Sequence, residues 1–539
     1  MLLLHVTINK SMSVKDKGLL WFSALVVFRY WRAIVTRLFY TQYRAATVPE
    51  DKLKFTPSDC TVIVPTVGPA NNPMFALMVE GILRNKPDRL IFAANNEKAK
   101  ELIERKVEEV KSAMRGGKRG DEDCSEDRYE DIWDAVIPIT NWTGKTVIEA
   151  KYIEESNKRK QTEHAIKMVE TDITFMVDDT AIWHPRFLQA TLPAFNDPKV
   201  GLVGTRKRVQ YKRPSHTEEE HKEKSRLRFW LSWYRSGFWN TVGAQYLDRH
   251  SYEIRASNAG DGAVFAISGR TLAILTDIVK DSKFREKFVD EYVLTWVFKW
   301  LSYFKSWHIS PAGWLLKFFE GKGLTEKGIG PLLADDDNFI TRWVIDRGWN
   351  IKVQSSLEAT MMTRLGSVKI FKYVDQCERW SRTTFRQNPI ALFSDRTIWW
   401  KWPIGVWTVY FPWMYNFAVF WDGLAIFNFW RSGLYQNSSN GNARLVCLIL
   451  AIWATKLIKT WRWFREHPLD FLLFFVIPAY PLFGYYHSWL KLYTAISCWK
   501  NDWSGRDVKK AEKDAGAILR EKYKDIIISG SKKQTDGSG

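Results

Sequence analysis

An α/β domain with a mostly parallel sheet, tied to interfacial and transmembrane helices, is the architecture that this sequence predicts. Short apolar strands alternate with helical stretches from residue 61 onward, the pattern of a parallel sheet covered on both faces. After Arg386 the texture changes to long apolar and aromatic runs. Composition agrees: 46% of residues are hydrophobic and 28 are Trp, a ring suited to the boundary between lipid and water.

Residues 1–50 carry an apolar run at 19–28 that leads into Arg29, Arg32 and Arg37. Those arginines interrupt the ~20 apolar residues a span needs, so a crossing helix and an interfacial one both stay open. Residues 51–365 have a globular texture. Within them 61–65, 90–94, 135–138 and 173–177 read as strands and 74–84 as a helix. The charged stretch 97–131 gains glycines after Arg115 and reads there as a solvated loop. Residues 366–398 are expected as interfacial helices and 399–500 as transmembrane helices. Of these, 399–430 and 445–461 read as spans, whereas 470–498 contains Pro478, Pro481 and Gly484 and reads as broken or re-entrant. Residues 501–539 form a basic tail. Lys456, Lys459, Arg462 and Arg465 argue for a cytosolic loop after the second run, and the tail argues for a cytosolic C terminus. Both cannot hold if the third run is one simple crossing.

The formal net charge of +19 admits nucleic acid, anionic lipid or a phosphorylated substrate as partner. No zinc-finger spacing, stacking-platform motif or basic-zipper pattern is present, so no nucleic-acid partner is expected. The five cysteines are scattered without a Cys-x-x-Cys pair, which suggests neither a disulfide framework nor structural zinc, and fits a reducing, cytosol-facing domain.

Three acidic or basic constellations carry chemistry. The strand at 173–177 ends directly on Asp178-Asp179-Thr180. A pair there can be a turn, but strand ends of a parallel sheet are also where substrate-binding carboxylates belong. Asp335-Asp336-Asp337 leads into an apolar helical pattern. One of these acids can cap the helix; capping does not explain three, and like-charge crowding raises a carboxylate toward the range of a general base. Gln376-Cys-Glu-Arg379-Trp380 precedes the first C-terminal run. It is either an amphipathic surface helix or a site where Arg379 holds a diphosphate and Trp380 stacks on a sugar.

Taken together these motifs resemble the processive family-2 glycosyltransferases (hyaluronan, chitin and cellulose synthases), and most of all the hyaluronan-synthase-like enzymes of fungal type. The resemblance covers roughly residues 55–500, and its most specific feature is Gln376-x-x-Arg379-Trp380. It implies a GT-A (Rossmann-like) fold whose nucleotide-binding half opens at Pro65-Thr66. Lys158 and Arg159 would lie near the nucleotide, with Arg206 in the strand beneath the substrate and Gln376 and Arg379 on the donor. Asp178 and Asp179 would hold Mg²⁺ or Mn²⁺, and Asp337, with Asp336 beside it, would be the catalytic base. Asp261-Gly262 would form an acceptor-side loop and Trp380 would touch the acceptor. Asp290-Glu291 is a competing acidic pair that fits the family less well. Two departures stand out: Thr180 replaces the usual Asp or His ligand, so either Asp179 serves or metal binding is weaker, and Asn95-Asn96 replaces an Asp that meets the base. The implied partners are a UDP-sugar, a growing polysaccharide acceptor and the lipid bilayer. The implied location is a multi-pass position in the plasma membrane with the catalytic domain cytosolic. The alternatives are a non-processive lipid glycosyltransferase and a catalytically silent membrane scaffold.

Overall fold

The computed structural model describes residues 13–70, 72–115, 145–210, 226–303, 327–333, 335–364 and 370–500. The expected strand at 135–138, the glycine-containing stretch after Arg115 and the basic tail 501–539 lie outside the described residues. The chain divides into two units, an α/β unit (45–210 and 266–364) and a helical unit (1–44, 211–265 and 365–499).

Among the described residues, the α/β unit has nine strands: β1 (Cys60–Thr66), β2 (Arg89–Ala94), β3 (Val147–Tyr152), β4 (Ile173–Val177), β5 (Ile182–Trp183), β6 (Val200–Gln210), β7 (Thr271–Leu275), β8 (Asn350–Gln354) and β9 (Thr360–Arg364). They run in the order β3-β2-β1-β4-β7-β6-β9-β5, and β8 also pairs with β6. All seven residues of β1 are buried, as a central strand covered on both faces requires. On one face Val62 and Val64 join a core with Phe75, Met78 and Ile82 of the helix Phe75–Arg84, each such side chain contributing about 1.5–3 kcal/mol of burial. The β1, β2, β3 and β4 pairings are parallel, but β7 enters antiparallel between β4 and β6, with Thr271 beside Val177. That reversal brings the loop before β7 to the carboxyl end of β4.

The helical unit begins with Val14–Gln42, a 29-residue helix long and apolar enough to cross a membrane. Gly18 is needed there: a Cβ at that position would meet the Arg431 backbone at 2.9 Å. Two expectations are corrected. The run 399–430 is not one span: Pro403–Gly405, Val406–Tyr410 and Phe411–Tyr415 follow one another as helix, but the path is interrupted at Trp402, before Pro403, and again at Asn416 and Phe417, before Ala418–Arg431. The second run forms Gly441–Thr455, whose 15 residues fall short of a ~20-residue span. Pro468–Val476 and Ala479–Ile496 are bent by 60° at their junction, so the third run is broken as expected.

Residues 211–265, expected within the catalytic domain, belong to the helical unit instead. The cause is the helix Arg226–Asp261, whose Tyr234 and Phe238 pack on Phe474 and whose Trp239 packs on Phe483.

Candidate active site

The site of the α/β unit grows from the carboxyl ends of β1, β2 and β4. Asn157 caps the helix Lys158–Ile166 by accepting hydrogen bonds from the backbone N–H groups of Arg159 and Lys160. Gln161, one turn in, donates to the Thr66 and Ala93 carbonyls at 2.9 and 2.7 Å, which fixes the helix above the ends of β1 and β2. Lys158 is thereby held at the rim. Its ammonium pairs with Asp178 at 2.8 Å and with Asp336 at 2.9 Å, and donates to the Gly269 carbonyl at 3.3 Å.

The acidic run sits on the helix Asp336–Asp346, entered through Asp335 in the left-handed region at φ +65°. This is a costly backbone for a residue other than Gly or Asn, though Asp tolerates it better than most. Asp337 accepts from the Gly269 N–H at 3.2 Å and from the Asn338 N–H at 2.9 Å. Behind it, Thr341 donates to the Asp337 carbonyl at 2.6 Å and accepts from the Ile267 N–H at 3.0 Å. The two neighbouring carboxylates are driven apart electrostatically. Burial, then the negative charge of Asp336, pushes Asp337 up to about 6. Burial would also raise Asp336, but the Lys158 ammonium more than offsets this and leaves it below the usual range. A pair split in this way assigns a proton-accepting role to one member and a permanently charged role to the other.

Asp178 and Asp179 turn away from β4 together. Asp179 accepts from the Thr66 hydroxyl at 2.5 Å, and its carbonyl accepts from the Asn72 amide at 2.8 Å. Among the described residues, no group of three or more His, Cys, Asp and Glu is arranged to hold a metal ion. Two adjacent carboxylates, one shared with an ammonium, suit an ion that brings its other ligands on a substrate's phosphates.

Arg159, expected beside the nucleotide, is turned into the core. It is 0% exposed, pairs with Glu291 at 2.8 Å and donates to the Phe288 carbonyl at 2.9 Å. Glu291 also meets Arg342, which makes the competing acidic pair structural on its Glu side. Arg206 is buried in β6, and Pro65 is buried beside Thr66 in β1. At the end of β2, Asn96 caps the helix Glu97–Arg115 by accepting from the Ala99 N–H at 2.8 Å, which accounts for an amide there.

The remaining expected residues lie in the helical unit. Asp261, expected with Gly262 in an acceptor-side loop, ends the helix Arg226–Asp261 and accepts from the Gly405 N–H at 2.9 Å, while Gly262 follows at φ +83°. Gln376 and Arg379 are half-buried on the helix Ile370–Pro389, and Trp380 stacks on Tyr246 with ring centroids 4.8 Å apart.

Two contributors escaped sequence reasoning. Gly269 acts through its backbone, and the turn Ser268-Gly-Arg270 gave no hint that β7 runs antiparallel. Lys207, buried in β6, is held down to about 7 by burial and by Arg270, with Asp337 opposing. A cation at an inward position of a buried strand was the available signal.

Lys158→Met is expected to move the acid limb of any pH–rate profile upward. The lysine holds Asp337 below the value that burial and Asp336 would otherwise impose, so removing it raises the base. Two carboxylates would also lose their cation. The side chain is 17% exposed, so a loss of about 1–2 kcal/mol is expected in thermal denaturation.

With this geometry in place, the chain can be compared with known proteins. Residues 130–383 match the family model described as glycosyltransferase-like family 2. The chain is similar to glycosyltransferases of family 2. It is 27% identical over 489 residues to a type 2 glycosyltransferase of Pyricularia oryzae, covering 90% of this chain and 82% of the relative. A type 2 glycosyltransferase of Gibberella zeae is 28% identical over 488 residues, covering 90% and 74%. Among solved structures, a mannosyltransferase from Pyrobaculum calidifontis in complex with GDP-Man and Mn²⁺ aligns with a TM-score of 0.42 and 12% identity, over 92% of this chain and all of that one.

Proposed function

We propose that the α/β unit transfers a sugar from a UDP-sugar with inversion, extending a β-linked polysaccharide at the cytosolic face of the plasma membrane, and that the helical unit passes the product outward. The observation that carries the transferase reading is the cluster in which Lys158 joins Asp178 to Asp336 while Gly269 connects the same lysine to Asp337. It offers a cation for a diphosphate, carboxylates for a metal and a base whose affinity for protons is near the working pH. Asp337 takes the proton of the acceptor hydroxyl, Lys158 orients the donor phosphates, and Asp336 stays charged. Asp178 and Asp179 would hold Mg²⁺ or Mn²⁺, which when bound neutralises charge on the leaving diphosphate.

UDP release by detergent-purified protein tests this. Release with one or two UDP-sugars in the presence of Mn²⁺ or Mg²⁺, lost in EDTA, is the expected result. Equal release in EDTA would remove the metal from the reading, and no release with any UDP-sugar would remove the donor. The brevity of Gly441–Thr455 favours a second reading, a single transfer to a lipid acceptor. A ladder of product sizes supports polymerisation, and one discrete product supports the alternative.

A further inference from the structure

Among the described residues, one cluster in the helical unit gathers more half-buried cations than acids. Arg29 pairs with Asp422 at 3.0 Å, and Asp422 also accepts from the Tyr30 and Tyr485 hydroxyls. Lys459 pairs with Glu253. Lys456 donates to the Pro481 carbonyl at 2.6 Å and lies over the Tyr485 ring, and Lys491 reaches the Trp413 and Asn416 carbonyls at 3.4 Å and lies over the Trp413 ring, so neither lysine has a carboxylate of its own among the described residues. Lys491 lies within electrostatic range of Arg29, Arg32, Arg249 and Glu253, and Arg249 is bonded to the Tyr480 hydroxyl. Two further acids nearby are already engaged: Asp470 accepts from Thr241 at 2.9 Å, and Asp248 faces Tyr480. Six cations thus face two acids, each of which already pairs with one of them.

Two side chains in this cluster make no bond of their own. Among the described residues, the Arg32 guanidinium has neither an ion pair nor a hydrogen bond, though Glu253, Arg29 and Arg249 surround it. Gln245 is 0% exposed, and both atoms of its amide lack a hydrogen-bond partner. It sits one turn before Arg249 and two before Glu253, on the same face of the helix Arg226–Asp261. A buried amide left unbonded and a half-buried excess of positive charge are each costly, and one oxyanion answers both.

We infer that Arg32, Gln245, Arg249 and Lys491 form an anion site that takes a phosphate, either of a lipid headgroup or free in solution. It gives the helical unit a ligand of its own and does not depend on the chemistry of the α/β unit. The full chain in detergent is tested, without any sugar donor, against vesicles of phosphatidylcholine with and without phosphatidic acid, and against inorganic phosphate. Gln245→Leu is the key variant. It changes no charge, so adhesion of a basic protein to an acidic surface stays the same, and it removes an unbonded buried amide without leaving a new one. The expected result is binding of phosphatidic acid that falls roughly tenfold in Gln245→Leu and again in Arg32→Gln, with the melting point of Gln245→Leu unchanged or raised. Competition by inorganic phosphate at similar affinity identifies a free-anion site, and its absence identifies a lipid site. Wild-type affinity in both variants, or no binding of either probe, overturns the proposal. UDP release by the same preparation reports separately on the transferase reading.

Discussion

Asp337→Asn is expected to abolish sugar transfer while leaving the protein more stable than the wild type. Removing a general base costs roughly 10²–10⁴-fold in kcat, whereas Lys158, Asp178 and Asp336, the charged groups proposed for the donor, all remain. The stability effect follows from the raised carboxylate, which stands at about 6 in the folded chain against an ordinary 3.8. Between those values the folded state binds more protons than the unfolded state, so stability falls as pH rises through that window. At neutral pH the aspartate therefore costs about 1–3 kcal/mol, which the amide does not. Asn can still accept from the Gly269 N–H. The same titration predicts that wild-type kcat/KM climbs with pH up to about 6 and then levels. A stable variant with wild-type turnover would falsify the assignment of the base, and a variant that melts lower would show Asp337 to be structural.

Arg159→Leu should have the largest effect on stability. The guanidinium is wholly buried, its partner Glu291 is 6% exposed, and it lies over the Phe288 and Phe339 rings at 5.4 and 5.8 Å. Removing one member of such a pair strands the other and costs about 3–5 kcal/mol, a large part of a typical domain's stability. Chemical denaturation of the two proteins side by side measures it. A change under about 1 kcal/mol would mean that Arg342 alone satisfies Glu291.

Comparison of Lys158 with Arg159 shows where sequence reading reached its limit. Both belong to one basic motif, and both were expected at the nucleotide. Helical geometry turns adjacent residues about 100° apart, so one faces the rim and the other the core. Nothing in the local pattern says which, because the answer depends on Glu291, more than a hundred residues away. The strands β1, β2 and β4 and the acids at 178 and 336–337 were legible, since uninterrupted apolar runs ending on carboxylates have few other readings. The reversed strand β7 was not, because direction in a sheet leaves no trace in composition. The loop expected at Asp261-Gly262 came from the resemblance alone, and nothing in those residues told that the helix Arg226–Asp261 would run through Asp261.

Gly269 joins Lys158, through its carbonyl, to Asp337, through its N–H. Electrostatics acts along the same line, since the lysine's charge lowers the proton affinity of the carboxylate. Thermodynamic reciprocity then ties two events that a reaction scheme would treat as separate. Any anion that draws the ammonium toward itself weakens its hold on Asp337, so donor occupancy makes the base more basic. Conversely, protonating Asp337 alters the affinity for the donor by the same factor. If Asp337 is the base, one glycine thus lets the charge at the donor site and the proton affinity of the carboxylate sense each other.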